Sequence, residues 1–102
     1  MENTTSIEKF YIKVPILNDA DENFETLYGR AQSLEETGVS QGKVDIDHIV
    51  GYYTDEVTYD SPVIVIITTG GDIYTSLNEE QYIARFDKIT RVVYNIQTPL
   101  QQ

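Results

Sequence analysis

The chain contains no cysteine and no tryptophan, and histidine and methionine each occur once. Without cysteine there is no disulfide, no thiolate nucleophile and no thiolate metal site. The single imidazole, His48, leaves zinc without a set of nitrogen ligands, so no metal and no cofactor are expected. Basic residues are also scarce. There are 7 Lys+Arg against 17 Asp+Glu, a formal net charge of −10 over 102 residues. A surface of that sign repels phosphate backbones and anionic headgroups, which argues against direct binding to nucleic acid or to a membrane. Long apolar runs are missing. The longest, Val63 to Ile67, falls far short of the roughly 20 residues that a spanning helix needs. Met1 to Ser6 has neither a basic region nor an apolar stretch, so no signal peptide is expected and a cytoplasmic location is.

What the chain does have is tyrosine, eight in all, and more isoleucine than leucine. Both favour strands, and the length suits one domain, 1–102, with polar tails at 1–7 and 98–102. Phe10, Ile12, Val14 and Ile16 alternate with Tyr11, Lys13 and Pro15, a period-two strand that Pro15 places near an edge. Phe24, Leu27, Tyr28, Ala31 and Leu34 are spaced along one face of a helix, with Asp19 and Glu22 as its capping box and Gly38 as its stop. Ser40 to Gly42 is expected to be a loop, and Lys43 to Tyr53 a half-buried strand with His48 among its inward side chains.

Val63 to Ile67 is β-branched and continuous, which fits a central strand covered on both faces. Thr69-Gly70-Gly71-Asp72 is a hairpin turn, with Ile73 to Ser76 returning. Asn78 and Gln81 form a second capping box, Leu77 and Tyr82 a hydrophobic staple, and Tyr82, Ile83, Phe86 and Ile89 the helix's apolar stripe. Thr90 to Ile96 is expected to be the last strand, although the helix pattern extends to Val93. The fold expected is α+β: a small mixed or antiparallel sheet of four or five strands with two helices on one face, in β-α-β-β-β-α-β order. The helix between the first two strands makes a parallel pairing natural for them.

Few motifs carry chemistry. Asp19-x-Asp21-x-Asn23 matches the first three ligand positions of a calcium loop. Phe24 and Arg30, however, stand where that loop needs Gly and a bidentate Glu, so helix capping explains the run better. Asp45 and Asp47 share a strand face from which alternation turns His48 away. Gly70-Gly71 lacks the further Gly and Lys of a phosphate loop. A catalytic triad would have to use His48, and no nucleophile elbow is present. The chain is therefore expected not to be an enzyme, and no catalytic residue is assigned.

The surplus of acid and tyrosine points to a non-catalytic interaction module, or an accessory subunit of a larger assembly. Its partner would be a protein with a basic surface. Asp45, Asp47, Tyr53, Asp55, Glu56, Tyr59, Asp60 and Asp72 are its candidate partner-binding residues, because tyrosine gives rigid contact area and carboxylates give charge complementarity. A sharper alternative is an inhibitor, of the kind phages often encode, that mimics nucleic acid and fills a basic cleft. A third is a small-ligand or carboxylate-based enzyme. Exposed sheet edges leave homo-oligomerisation open as well.

Overall fold

A computed structural model describes residues 2–21 and 23–99. Six strands form one sheet. They are β1 (Glu2–Leu17), β2 (Val39–Asp45), β3 (Ile49–Asp55), β4 (Val63–Thr68), β5 (Gly71–Thr75) and β6 (Thr90–Pro99). Two short helices, α1 (Phe24–Tyr28) and α2 (Glu79–Ala84), complete the chain. The sheet order is β2-β1-β5-β4-β3, with β6 pairing β1, and every pairing between named strands is antiparallel. The class is α+β, as expected. The parallel relation expected between the first two strands is not found, because Tyr11 to Leu17 pairs with Asp45 to Val39 in the antiparallel sense.

β4 is the centre of the core. Its alternate side chains belong to two apolar clusters on opposite faces. Ile64 and Ile66 pack with Ile12, Val14, Val44, Leu77 and Tyr82. Val63 and Val65 pack with Leu17, Tyr59 and Tyr74. The continuous β-branched run is thus buried on both sides, as its composition implies. The Thr68–Gly71 turn closes the β4–β5 hairpin, although the positive φ of 128° falls at Gly71 rather than on the two turn residues. At Gly42 a Cβ would meet the Cδ1 end of the Ile16 side chain, which would have to shift to admit any larger residue.

The second helix follows its sequence signals closely. Asn78 accepts from the Gln81 N–H at 2.8 Å, and the Gln81 side chain accepts from the Asn78 N–H at 3.0 Å, a closed capping box. Leu77 and Tyr82 meet in the same cluster, forming the staple. Of the expected stripe only Tyr82 is buried, while Ile83, Phe86 and Ile89 remain exposed. α2 gives way to a 3-10 turn at Arg85–Asp87, and the strand reading of 90–96 holds.

The first helix departs from expectation. It stops after five residues because Gly29 takes the left-handed conformation, φ 72°, and none of its residues is buried. Its expected capping box depends on Glu22, which lies outside the described residues. The turn before it is held instead by Gln32. That buried side chain accepts from the Asp21 N–H and donates to the Asp19 carbonyl, both at 2.8 Å. Ala20 and Leu34, on either side of α1 in the chain, pack on the Val63–Val65 face, while Tyr82 of α2 packs on the other.

Four further expectations are corrected. Ser40 to Gly42 lies within β2 rather than in a loop. The expected strand over 43–53 is broken by a 3-10 turn at Ile46–His48, where the Asp45 carboxylate accepts from the Asp47 N–H at 2.9 Å. β1 is an interior strand despite Pro15, since it has β2 along one edge and meets β5 at Ile16 on the other. Finally, Glu2–Ile7 and Thr98–Pro99, expected as parts of polar tails, are in strands. They pair with each other from Glu2↔Pro99 inward to Ile7↔Tyr94. Met1 and residues 100–102 lie outside the described residues.

That last pairing sets the shape of the molecule. The ladder between β1 and β6 runs from Glu2↔Pro99 to Tyr11↔Thr90, while β2 pairs β1 only from Tyr11 onward. The ladder outside Tyr11 is therefore a two-stranded ribbon beyond the rest of the sheet. The molecule measures 63 × 31 × 22 Å, with a radius of gyration of 17.9 Å. A compact domain of this length has a radius near 13 Å, so the ribbon projects as an arm.

Candidate interaction surface

The arm has two unlike faces, fixed by its register. Residues directly opposite in an antiparallel ladder point to the same side. One side carries Ser6 opposite Asn95, Glu8 opposite Val93 and Phe10 opposite Arg91. It is laced by polar contacts: Ser6 Oγ donates to Asn95 Oδ1 at 3.0 Å, and Arg91 pairs with Glu8. The other side carries Thr5 opposite Ile96, Ile7 opposite Tyr94 and Lys9 opposite Val92. Ile7, Tyr94 and Ile96 remain 38%, 46% and 45% exposed there. The Tyr11 and Tyr94 hydroxyls meet at 3.1 Å across this side. The hydrogen bond to Tyr94 is the main reason the Tyr11 phenol is pushed up to about 12, with desolvation adding to it.

Along β1 the same parity continues past Tyr11 to Lys13, which stands directly opposite Lys43 on β2. Both lysines are exposed, and neither has an ion pair among the described residues. Lys9 lies on the same side and reaches Asp45 Oδ2 at 3.5 Å. Three of the chain's seven basic residues thus gather on one strip that continues the apolar side of the arm. The arm, 2–11 with 90–99, is itself neutral, having Glu2 and Glu8 against Lys9 and Arg91. The net charge of −10 resides in the rest of the chain.

The residues expected to bind a partner are dispersed. Asp55, Glu56 and Asp60 lie at the end of the β3–β4 ladder where Asp55 pairs Val63. Asp45, Asp47 and Asp72 lie toward its opposite end, where Ile49 pairs Thr68 and the hairpin turns. The strands between put the two groups about 20 Å apart. Three of the carboxylates are also committed to the fold. Asp55 accepts from the Val57 and Thr58 N–H groups and from the Thr58 hydroxyl. Burial alone would raise its pKa, but these hydrogen bonds outweigh it and the net shift is downward. Asp60 accepts from the Leu34 N–H at 3.0 Å, and Asp45 caps the 3-10 turn. Asp47, Glu56 and Asp72 are exposed.

Tyr53 is exposed on β3, at the sheet edge. Tyr59 is 1% exposed and is a core residue, not a contact residue. Its ring packs edge-on to Tyr74 with centroids 6.3 Å apart. Its hydroxyl lies beside Thr37 without a well-formed hydrogen bond among the described residues, and burial raises its pKa.

His48 is exposed rather than inward-facing, because the 3-10 turn breaks the alternation that would have buried it. Its Nδ1 lies 2.7 Å from Thr69 Oγ1, and its Nε2 lies 3.4 Å from Asp45 Oδ2. The order hydroxyl, imidazole, carboxylate resembles the relay of a hydrolase. Such chemistry also needs N–H donors aimed at a developing oxyanion. The nearby Gly70 N–H is already given to Thr68 Oγ1. The contacts are those of a clasp joining the β4–β5 turn to the turn before β3, to which the backbone bond from Thr69 N–H to the His48 carbonyl, 2.9 Å, also contributes. Among the described residues no cluster of three or more His, Asp or Glu is placed to hold a metal ion, and no helix is long and apolar enough to cross a membrane.

No protein-family model matches the chain, no curated protein matches its sequence, and no solved structure matches its fold.

Proposed function

We propose that this protein is a non-catalytic interaction module, an accessory subunit of a larger assembly, and that it docks through the apolar side of the β1–β6 arm. The observation that carries this reading is the arm's lack of support. A two-stranded ribbon is marginal in water by itself and becomes stable when a third strand or a packed face covers it. Here Ile7, Tyr94 and Ile96 lie half-exposed along one side, and nothing among the described residues covers them. A side that combines aromatic and aliphatic contact area with a charged border has the composition of a docking surface.

The mimicry alternative has weaker support. Its six carboxylates divide between two ends of the sheet, and three of them are engaged in local hydrogen bonds. The enzyme alternative rests on the Asp45–His48–Thr69 contacts, which the clasp explains.

Site-specific photocross-linking tests the reading. A photoreactive residue at position 94 should give a stoichiometric cross-link in cells, whereas one at Glu80 on α2 should not. Cross-linking confined to Glu80, or absent at 94, would refute docking through the arm.

A further inference from the structure

We infer that the body docked on this surface is a second copy of this chain, presenting exposed carboxylates to the Lys13–Lys43 strip. The inference rests on the docking reading above and names its partner. Three observations lead to it. First, the arm alone is too small. A ribbon about 30 Å long and 10 Å wide offers about 300 Å² on one side, while a stable interface needs about 800 Å² from each partner. The contact must therefore continue beyond Tyr11 onto the strip where Lys13 faces Lys43, and the occupant must be a folded body, not a single strand.

Second, Lys9 on that strip is paired with Asp45, but Lys13 and Lys43 are not neutralised by an ion pair among the described residues. Like charges directly opposite on a ladder oppose each other, and Lys13 faces Lys43. An acidic surface laid over them would relieve this repulsion. Third, the chain supplies exposed carboxylates itself. Its −10 lies wholly outside the arm, and exposed Asp47 and Asp72 lie together toward one end of the β3–β4 ladder. The neutral arm allows close approach of two molecules that would otherwise repel. The basic partner surface implied by the acidic composition is then this chain's own lysine strip.

The test is sedimentation velocity over a range of concentrations, with three variants. Lys13→Glu places a carboxylate opposite Lys43, so it keeps the fold while removing the cationic strip. Tyr94→Ser removes the aromatic anchor. Lys88→Glu, beyond the 3-10 turn that follows α2, is the charge control. The wild-type chain and Lys88→Glu should self-associate. Lys13→Glu and Tyr94→Ser should weaken association at least tenfold, with unchanged circular dichroism. A wild-type chain that stays monomeric at every concentration overturns the inference. So does a Lys13→Glu protein that associates like wild type. If the wild type is monomeric but position 94 still cross-links to a different protein, docking through the arm stands and the second copy falls. If position 94 cross-links to nothing, both fall.

Discussion

Lys13 stands directly across the β1–β2 ladder from Lys43, both exposed, in a chain that has only 7 basic residues. A cross-strand pair of like charge destabilises by a few tenths to about 1 kcal/mol. Replacing Lys13 with Glu should therefore stabilise the isolated fold by up to about 1 kcal/mol, raising the thermal midpoint in a dilute scan. A lower midpoint would show that the lysines are not in repulsion and would remove the electrostatic reason for a partner over them.

The Tyr11–Tyr94 contact gives the arm a defined alkaline limit. Tyr11 is raised to about 12 by its hydrogen bond to Tyr94, above the ordinary phenol value of about 10. The protonated phenol is the form that the folded arm favours. Its stabilisation is complete below pH 10 and is lost as pH rises toward 12. Titration followed by phenolate absorbance should show Tyr11 among the late-ionising tyrosines, beside the burial-raised Tyr59 and Tyr82. In Tyr94→Phe the Tyr11 titration should move down toward 10 while Tyr59 and Tyr82 stay where they were. No change in that variant would mean that the hydroxyl contact does not form in solution.

The capping box of α2 should be worth a measurable part of the fold's stability. Asn78→Ala removes the acceptor for the Gln81 N–H and should cost about 1 kcal/mol in denaturant unfolding. Because Leu77 and Tyr82 still hold the helix start in the core, α2 should persist and Asn78→Asp should recover most of the loss. A neutral Asn78→Ala would mean that the staple alone fixes the helix.

The legibility of the chain followed the locality of its signals. The Asn78–Gln81 box, the staple and the buried β4 run each depend on neighbours within a few residues, and each appears where the pattern put it, while the glycine hairpin turn forms one residue earlier, at Thr69–Gly70. Signals that depended on distant partners were not legible. The helical spacing from Phe24 to Leu34 gave way to Gly29, whose left-handed conformation ends the helix, and to Gln32, whose side chain ties the preceding loop. The Lys43–Tyr53 alternation hid a break at Ile46–His48, because Asp45 makes an Asx-type turn that no hydropathy pattern records.

The arm is the element least legible in the sequence. Thr4, Thr5 and Ser6 look like a tail until β6 is laid beside them. Only Ile7, Lys9 and Tyr11, in step with Val92, Tyr94 and Ile96, betray the shared side, and that requires the register. Asp55 and Asp60 stand out in the sequence by their charge, yet their geometry ties them to backbone N–H groups of Val57 and Leu34. The pairing of Lys13 with Lys43 is visible only across strands.

Gly42 offers a packing test that is independent of the arm. A Cβ at that position would strike the end of the Ile16 side chain. Gly42→Ala should destabilise by about 1–3 kcal/mol through overpacking. Ile16→Val removes the colliding methyl, so the double variant should be more stable than the sum of its singles implies. Strict additivity in the unfolding free energies would place the two side chains apart.

Hydrogen exchange of the arm in dilute protein bears most directly on whether the arm is built to be covered. The amides of Val92 to Ile96 should exchange far faster than those of Ile64 to Ile66 in β4 at low concentration, and should gain protection once the arm is docked. Arm amides as protected as β4 in the dilute, unassembled protein would show that the ribbon is stable by itself and would contradict the docking role.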